Sequence, residues 1–157
     1  MTDTDLAVLR VALTRDEALR LHVYDDATGQ PLARGDTLQG VLTIGYGRAI
    51  GITGISQAEA DAMLDADITT HVRDLERAFP VVRTLDATRQ IVLAQMCFNL
   101  GVTKLARFAL LWRAITAGDF ARAGLEMIES HWAEQIGPRA TRLAAQMVSG
   151  EPGPVEL

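Results

Sequence analysis

The spacing of apolar residues changes period within the first fifty positions of the chain. Leu6, Leu9 and Leu13 recur at helical spacing, which predicts a short helix that closes near Glu17. The segment 21–29 then alternates and enters a turn, and 42–47 resembles a return strand with glycines that permit close approach. The N-terminal part is therefore predicted to be a helix followed by a β-hairpin.

The remaining pattern predicts helices. Ser56 and Glu59 have capping-box spacing, and helical periodicity then continues over about 57–78, until Pro80 helps to end the helix. Later helices are marked by residues suited to their first turns: Asp86, Asp119 and Pro138. The helix after Asp86 is expected to carry the central core, with Ile91, Val92, Leu93, Met96 and Phe98.

These elements predict a mostly α member of the α+β class. With 157 residues, 48% of them hydrophobic, the chain can form one domain with a substantial core. We expect a small N-terminal lobe over about 14–56, a connecting helix over about 57–78 and a helical lobe over about 80–150 that includes the first helix. Residues 151–157 are expected to be a frayed tail.

Two carboxylates flank the start of the predicted hairpin. Glu17 lies at the helix end and Asp26 lies nine residues later in a polar turn. Hydrolysis of a sugar acetal needs a carboxylic acid for the leaving oxygen and a carboxylate that attacks or activates water. Surface carboxylates at a cap and a turn would give the same spacing, so the spacing alone leaves both interpretations open.

Longer motifs narrow the choice. The strings E-A-L-R-L-x-V-Y-x-D and T-I-G-Y-G resemble the phage lysozymes of the T-even type and the wider endolysin family. Further similar segments follow in order: C-F-N-L-G at 97–101, L-W-R at 111–113, S-H-W at 130–132 and G-P-R-A-T-R at 137–142. The resemblance covers roughly residues 4 to 150 and implies the lysozyme-like fold.

The resemblance also implies a function and the residues that perform it. It implies a muramidase that hydrolyses the β-1,4 bond between N-acetylmuramic acid and N-acetylglucosamine, with Glu17 as general acid. Asp26 and Thr43 would hold the attacking water in an inverting reaction, which requires the two carboxyls to be about 6.5 to 9.5 Å apart. A strand threonine chosen for β-propensity is the alternative for Thr43. No cofactor or metal is expected, and the three histidines are too scattered for a metal site.

Two departures from the family pattern stand out. The connection between Asp26 and Thr43 is lengthened by residues 30–41, which we interpret as an enlarged loop at the cleft mouth, either a lid, an extra sugar contact or a tolerated insertion. Arg48 stands where the T-even type has a histidine that pairs with an aspartate. We expect Arg48 to pair with Asp67 and support the site, or else to face solvent.

Three later residues are candidates for substrate binding. Phe98 and Asn99 match the family's cleft wall, and an asparagine amide can recognise an N-acetyl group, although asparagine is also common at helix C-termini. His131 matches a segment beside the cleft, with a helix-surface histidine as the alternative.

Charge and targeting features complete the expectations. A net charge of −5 argues against a nucleic-acid partner, and no apolar stretch is long enough for a membrane span. We expect a monomer that is made in the host cytoplasm without a signal peptide, is released by an agent such as a holin, and acts on the periplasmic cell wall. A catalytically silent wall-binding module and a chitinase-like glycosidase remain the alternatives.

Overall fold

The computed structural model describes residues 1–153. It confirms a mostly helical α+β chain with a small two-stranded sheet. The elements are α1 (Asp3–Asp16), β1 (Arg20–Asp25), β2 (Leu42–Gly45), α2 (Ile50–Thr53), α3 (Gln57–Ala78), a 3-10 helix (Pro80–Thr84), α4 (Ala87–Leu100), α5 (Val102–Leu105), α6 (Ala109–Thr116), α7 (Phe120–Ile128), α8 (His131–Ile136) and α9 (Pro138–Ser149). Of the predicted tail, positions 154–157 lie outside the described residues.

The chain divides into two compact units, Met1–Asp61 and Ala62–Leu157. In the first unit, β1 and β2 are antiparallel, with Tyr24 opposite Thr43 and Asp25 opposite Leu42. An irregularity follows Arg20, which lies opposite Gly45, so β1 contains more residues than β2 over the same length. The α2 helix packs closely on β2, because a side chain on Gly51 would lie 3.2 Å from the Leu42 Cβ atom.

The long connection between the strands is a sequence of tight turns and backbone hydrogen bonds. Gly29 donates to the Asp25 carbonyl at 2.7 Å, and its φ of +66° suits glycine. Leu32 then donates to the Val23 carbonyl at 3.3 Å, so the added segment folds back beside β1. A second turn follows, in which the Asp36 carboxylate accepts from the Ala33 N–H at 2.7 Å.

Apolar side chains form the core of the second unit. Val92, Leu93 and Met96 are buried as predicted, together with residues of the other helices that include Leu111, Trp112, Met127, Trp132 and Met147. The prediction was wrong for Ile91 and Phe98, which are 57% and 41% exposed. Both lie on α4, and its helical turn directs them away from the face that carries Leu93.

Residues predicted from the sequence mark several helix ends. The α3 helix begins and ends as predicted, and the Ser56 N–H and hydroxyl both donate to the Glu59 carboxylate at 2.8 Å. The side chains of Asp86 and Asp119 accept backbone N–H groups at the starts of α4 and α7. Within residues 1–153, no helix combines the length and hydropathy that crossing a membrane requires.

Candidate active site

Glu17 lies at the end of α1, next to a glycine-rich turn. Its backbone N–H caps the helix by donating to the Leu13 carbonyl at 2.8 Å, and its side chain is exposed. Gly47 has a φ of +80°, and a Cβ atom on it would lie 3.8 Å from the Glu17 Oε2 atom. The G-Y-G turn that follows β2 therefore borders the Glu17 carboxylate.

The strand register relates Asp26 to Thr43. Since Tyr24 lies opposite Thr43, continuing the ladder by two residues places Asp26 opposite Val41. Side chains two residues apart on a strand share a face, so Asp26 and Thr43 are directed to the same side of the hairpin. Asp25 is directed to the other side.

Val41 joins Asp26 and Thr43 through hydrogen bonds. Its N–H donates to the Asp26 Oδ1 atom at 2.5 Å, and its carbonyl accepts from the Asp26 N–H at 3.2 Å. The same carbonyl accepts the Thr43 hydroxyl at 3.1 Å. The lengthened connection therefore still brings these two side chains to one backbone position.

The neighbouring carboxylate, Asp25, was not among the site residues predicted from the sequence. It is 2% exposed and accepts three backbone N–H groups, from Ala27 at 3.0 Å, Gln39 at 2.6 Å and Gly40 at 2.9 Å. The bond from Gln39, followed by those from Ala27 and Gly40, lowers the pKa of Asp25 because each stabilises the charged form. The pair of consecutive aspartates before the turn, Asp25 and Asp26, is the signal in the sequence that could have pointed to Asp25.

The partner of Arg48 differs from the expected one. The Arg48 Nη1 group bonds the Glu59 carboxylate at the start of α3 rather than Asp67. The chain turns directly from the G-Y-G turn into α2, which brings Arg48 to the first turn of α3, whereas Asp67 lies eight residues further along that helix. Hydrogen bonds from Ser56, and then the bond from Arg48, lower the pKa of Glu59 to about 2.

In the second unit, two of the predicted binding residues lie at the C-terminal end of α4. The Asn99 side-chain oxygen accepts from the indole N–H of the buried Trp132 at 2.9 Å, while Asn99 itself is exposed. This bond directs the asparagine NH2 group away from Trp132 and leaves it available as a donor. The Phe98 ring lies tilted against His71, with the ring centroids 5.1 Å apart.

His131 lies in the first turn of α8, and its ring contacts neighbours on that helix. Its Nδ1 atom is 2.8 Å from the Glu134 carboxylate, and its Nε2 atom is 3.2 Å from the Gln135 amide nitrogen. The side chains of His131 and Glu134 are 78% and 75% exposed. This is the geometry of a helix-surface histidine, and a role in substrate binding stays a prediction.

Comparisons with known sequences identify the family of this chain, and the fold and the carboxylate-bearing hairpin agree with that family. The family model described as phage lysozyme matches residues 14–146, and the chain belongs to that family. It is similar to the pre-baseplate central spike protein Gp5 of Enterobacteria phage T4, with 32% identity over 88% of this chain and 27% of the relative. It is also similar to the probable T4-type lysozymes 2 and 1 of Dictyostelium discoideum, each 24% identical over 61% of this chain and 58% of the relative. The chain thus spans about a quarter of the spike protein and under two thirds of the other two relatives.

Proposed function

We propose that this chain is a muramidase that hydrolyses the β-1,4 bond between N-acetylmuramic acid and N-acetylglucosamine in peptidoglycan. Membership of the phage lysozyme family supports a glycosidase, and the names of two relatives include lysozyme. The observation that carries the proposal is the position of Val41, which bonds both Asp26 and Thr43. Release by a holin and a monomeric state stay predictions.

In the proposed reaction, Glu17 donates a proton to the leaving oxygen. Its exposed side chain beside the G-Y-G turn leaves it open to a bound glycan. The proton goes to the oxygen of the breaking glycosidic bond, and the departing sugar leaves as an alcohol.

Asp26 and Thr43 orient the attacking water. The Thr43 hydroxyl donates its proton to the Val41 carbonyl, so it can offer only lone pairs to a water molecule. The Asp26 Oδ1 atom is engaged by the Val41 N–H, which leaves Oδ2 to accept from the same water. With both of its protons directed to these acceptors, the water presents a lone pair to the anomeric carbon. Asp26 takes a proton as the new bond forms, and the anomeric configuration inverts.

Replacing the acid tests this assignment. Glu17→Gln keeps the size and helix position of the side chain but cannot donate the proton, so lysis should fall by more than about a hundredfold. The matched control is Asp16→Asn, which removes an exposed carboxylate one residue earlier on α1. Clearing of outer-membrane-permeabilised Gram-negative cells is the measurement, with circular dichroism to check the fold.

The outcome separates the three functions under consideration. Lysis by Glu17→Gln within tenfold of the original chain would overturn the acid assignment. If the unsubstituted chain pellets with cell walls but does not clear them, it is a binding module. Cleavage of chitin oligomers without release of muramic-acid reducing ends would instead identify a chitinase-like enzyme. Proton NMR of the first product anomer would test inversion.

A further inference from the structure

We propose that Asp25 is the positioning residue that holds Asp26 and its partner strand in the geometry for water activation. This inference rests on the proposed function, because Asp25 acts there only through Asp26. The carboxylate lies on the side of the hairpin opposite Asp26 and Thr43, so it does not itself meet the water in the proposed reaction.

Asp25 binds the chain on both sides of the Asp26–Val41 pair. Its Oδ1 atom accepts from Ala27, the residue after Asp26, and from Gly40, the residue before Val41. Its Oδ2 atom accepts from Gln39 at 2.6 Å. One buried carboxylate therefore connects two segments that are fourteen or fifteen residues apart in sequence.

Gly40 makes this close approach possible. A Cβ atom at position 40 would overlap the Asp26 Oδ1 atom and would lie within 2.8 Å of the Ala27 backbone nitrogen. The absence of a side chain lets the two segments approach until the Val41 N–H reaches Asp26. Gly40 and Asp25 together therefore return the long connection to a defined position beside Asp26.

These contacts determine which carboxylate oxygen of Asp26 is free to bind the water. Asp26 is exposed, and an exposed aspartate in a turn has several accessible side-chain rotamers. The Val41 N–H selects one of them by binding Oδ1, and it remains at that point because Asp25 holds Gln39 and Gly40 directly before it. Loss of the Asp25 bonds would leave Asp26 chemically intact but displaced from the water.

The two oxygens of Asp25 allow a graded substitution. In Asp25→Asn, the retained oxygen can still accept from Ala27 and Gly40, whereas the new NH2 group faces the Gln39 N–H, and two donors cannot bond each other. The substitution therefore weakens the hold on the returning segment without removing all of it. Asp36 gives a matched control, since its carboxylate also accepts a backbone N–H within the same connection, from Ala33.

The experiment compares the steady-state kinetics of Asp25→Asn, Asp36→Asn, Glu17→Gln and the unsubstituted chain on soluble peptidoglycan fragments. We expect Asp25→Asn to lower kcat by about 10- to 100-fold, the size of effect that a displacement of about 1 Å produces, with KM within twofold. Asp36→Asn should leave both constants unchanged. The backbone amide shifts of Gln39 and Val41 should move in Asp25→Asn while those of the second unit do not.

Each outcome decides the proposal. A kcat for Asp25→Asn within twofold of the unsubstituted value overturns the positioning role, as does an equal loss in Asp36→Asn. A fall in kcat that only matches the unfolded fraction, measured by circular dichroism, also overturns it, because Asp25 would then be merely structural. Failure of the proposed function is read separately, from full turnover by Glu17→Gln in the same assay.

Discussion

In the second unit, Ala62–Leu157, the side chains that are buried within the described residues are apolar, whereas those buried in the first unit, Met1–Asp61, are Asp25 and Thr43. The second unit thus has an ordinary hydrophobic core, stabilised by the burial of apolar area, which is a non-directional effect. The first unit instead depends on hydrogen bonds from backbone N–H groups to carboxylates. Such bonds are directional, so they fix atoms more closely, but they depend on the charge of the acceptor.

This difference agrees with the location of the proposed catalytic residues. The carboxylates and the threonine of the proposed site lie in the first unit, where position has to be defined for each atom. Stability of the second unit comes from buried area and is insensitive to single polar changes at its surface.

The largest effect is expected from a cavity in the second unit. Leu93 is fully buried in α4, so Leu93→Ala should lower the free energy of unfolding by about 2–5 kcal/mol, through lost apolar burial and an unfilled cavity. Leu125→Ala is the control. Because Leu125 is 51% exposed on α7, this substitution should lower the free energy of unfolding by about 0.5 kcal/mol or less. Urea unfolding followed by circular dichroism measures both.

The same pair of variants tests the comparison itself. At temperatures below its midpoint, Leu93→Ala should retain the kcat of the unsubstituted chain, because Glu17, Asp26 and Thr43 all lie in the first unit. If Leu93→Ala costs no more than Leu125→Ala, the description of the second unit is wrong. If it removes activity while the protein is folded, activity depends on the packing of the second unit as well.

An intermediate effect is expected from acid. The pKa of Asp25 is lowered from its ordinary value of 3.8, chiefly by the Gln39 N–H, and that of Glu59 is lowered from 4.5 to about 2 by Ser56 and then Arg48. A lowered pKa means that the charged form is stabilised by folding. That stability is fully present above the unfolded-state pKa and is lost as pH falls through the folded-state value. The first unit should therefore weaken below about pH 4.

Amide chemical shifts across an acid titration measure this effect. Those of Gln39 and Gly40 should change at a pH where the helical signal of the second unit is still intact. A single transition, in which both sets of signals change together, would contradict the separate origin of stability in the two units. The titration in Asp25→Asn is the control, because that variant lacks the charge whose loss is being followed.

The sequence was a good guide to the helices. The bounds of α3 followed from a capping box and a proline, and Asp86 and Asp119 were recognised as caps, because such signals are local. The outward direction of Ile91 and Phe98 was missed, since an apolar run on a helix does not say which of its members face the neighbouring helices. Which residues face inward depends on the packing of the neighbouring helices.

The site was only partly predictable for a related reason. Glu17, Asp26 and Thr43 were predicted by resemblance and stay predictions, whereas the role proposed for Asp25 depends on a contact with a residue fourteen positions away. No local pattern specifies how a long connection returns. The partner of Arg48 was missed because it depends on the direction in which the chain leaves the G-Y-G turn, while the expected Asp67 was carried over by position from the family's histidine–aspartate pair.

The smallest effect is expected from Arg48. Its ion pair with Glu59 joins side chains that are 38% and 43% exposed, so water and salt screen the attraction. Arg48→Ala should lower the thermal midpoint only slightly, and Glu59→Gln should reproduce that change, because glutamine keeps a capping box with Ser56 but loses the charge. Asp67→Asn should leave the midpoint unchanged.

An effect of Asp67→Asn equal to that of Arg48→Ala would restore the pair expected from the sequence. If Arg48→Ala alters neither midpoint nor activity, the expectation that Arg48 supports the site is wrong, and the first unit is then held by the Asp25 hydrogen bonds without help from this ion pair.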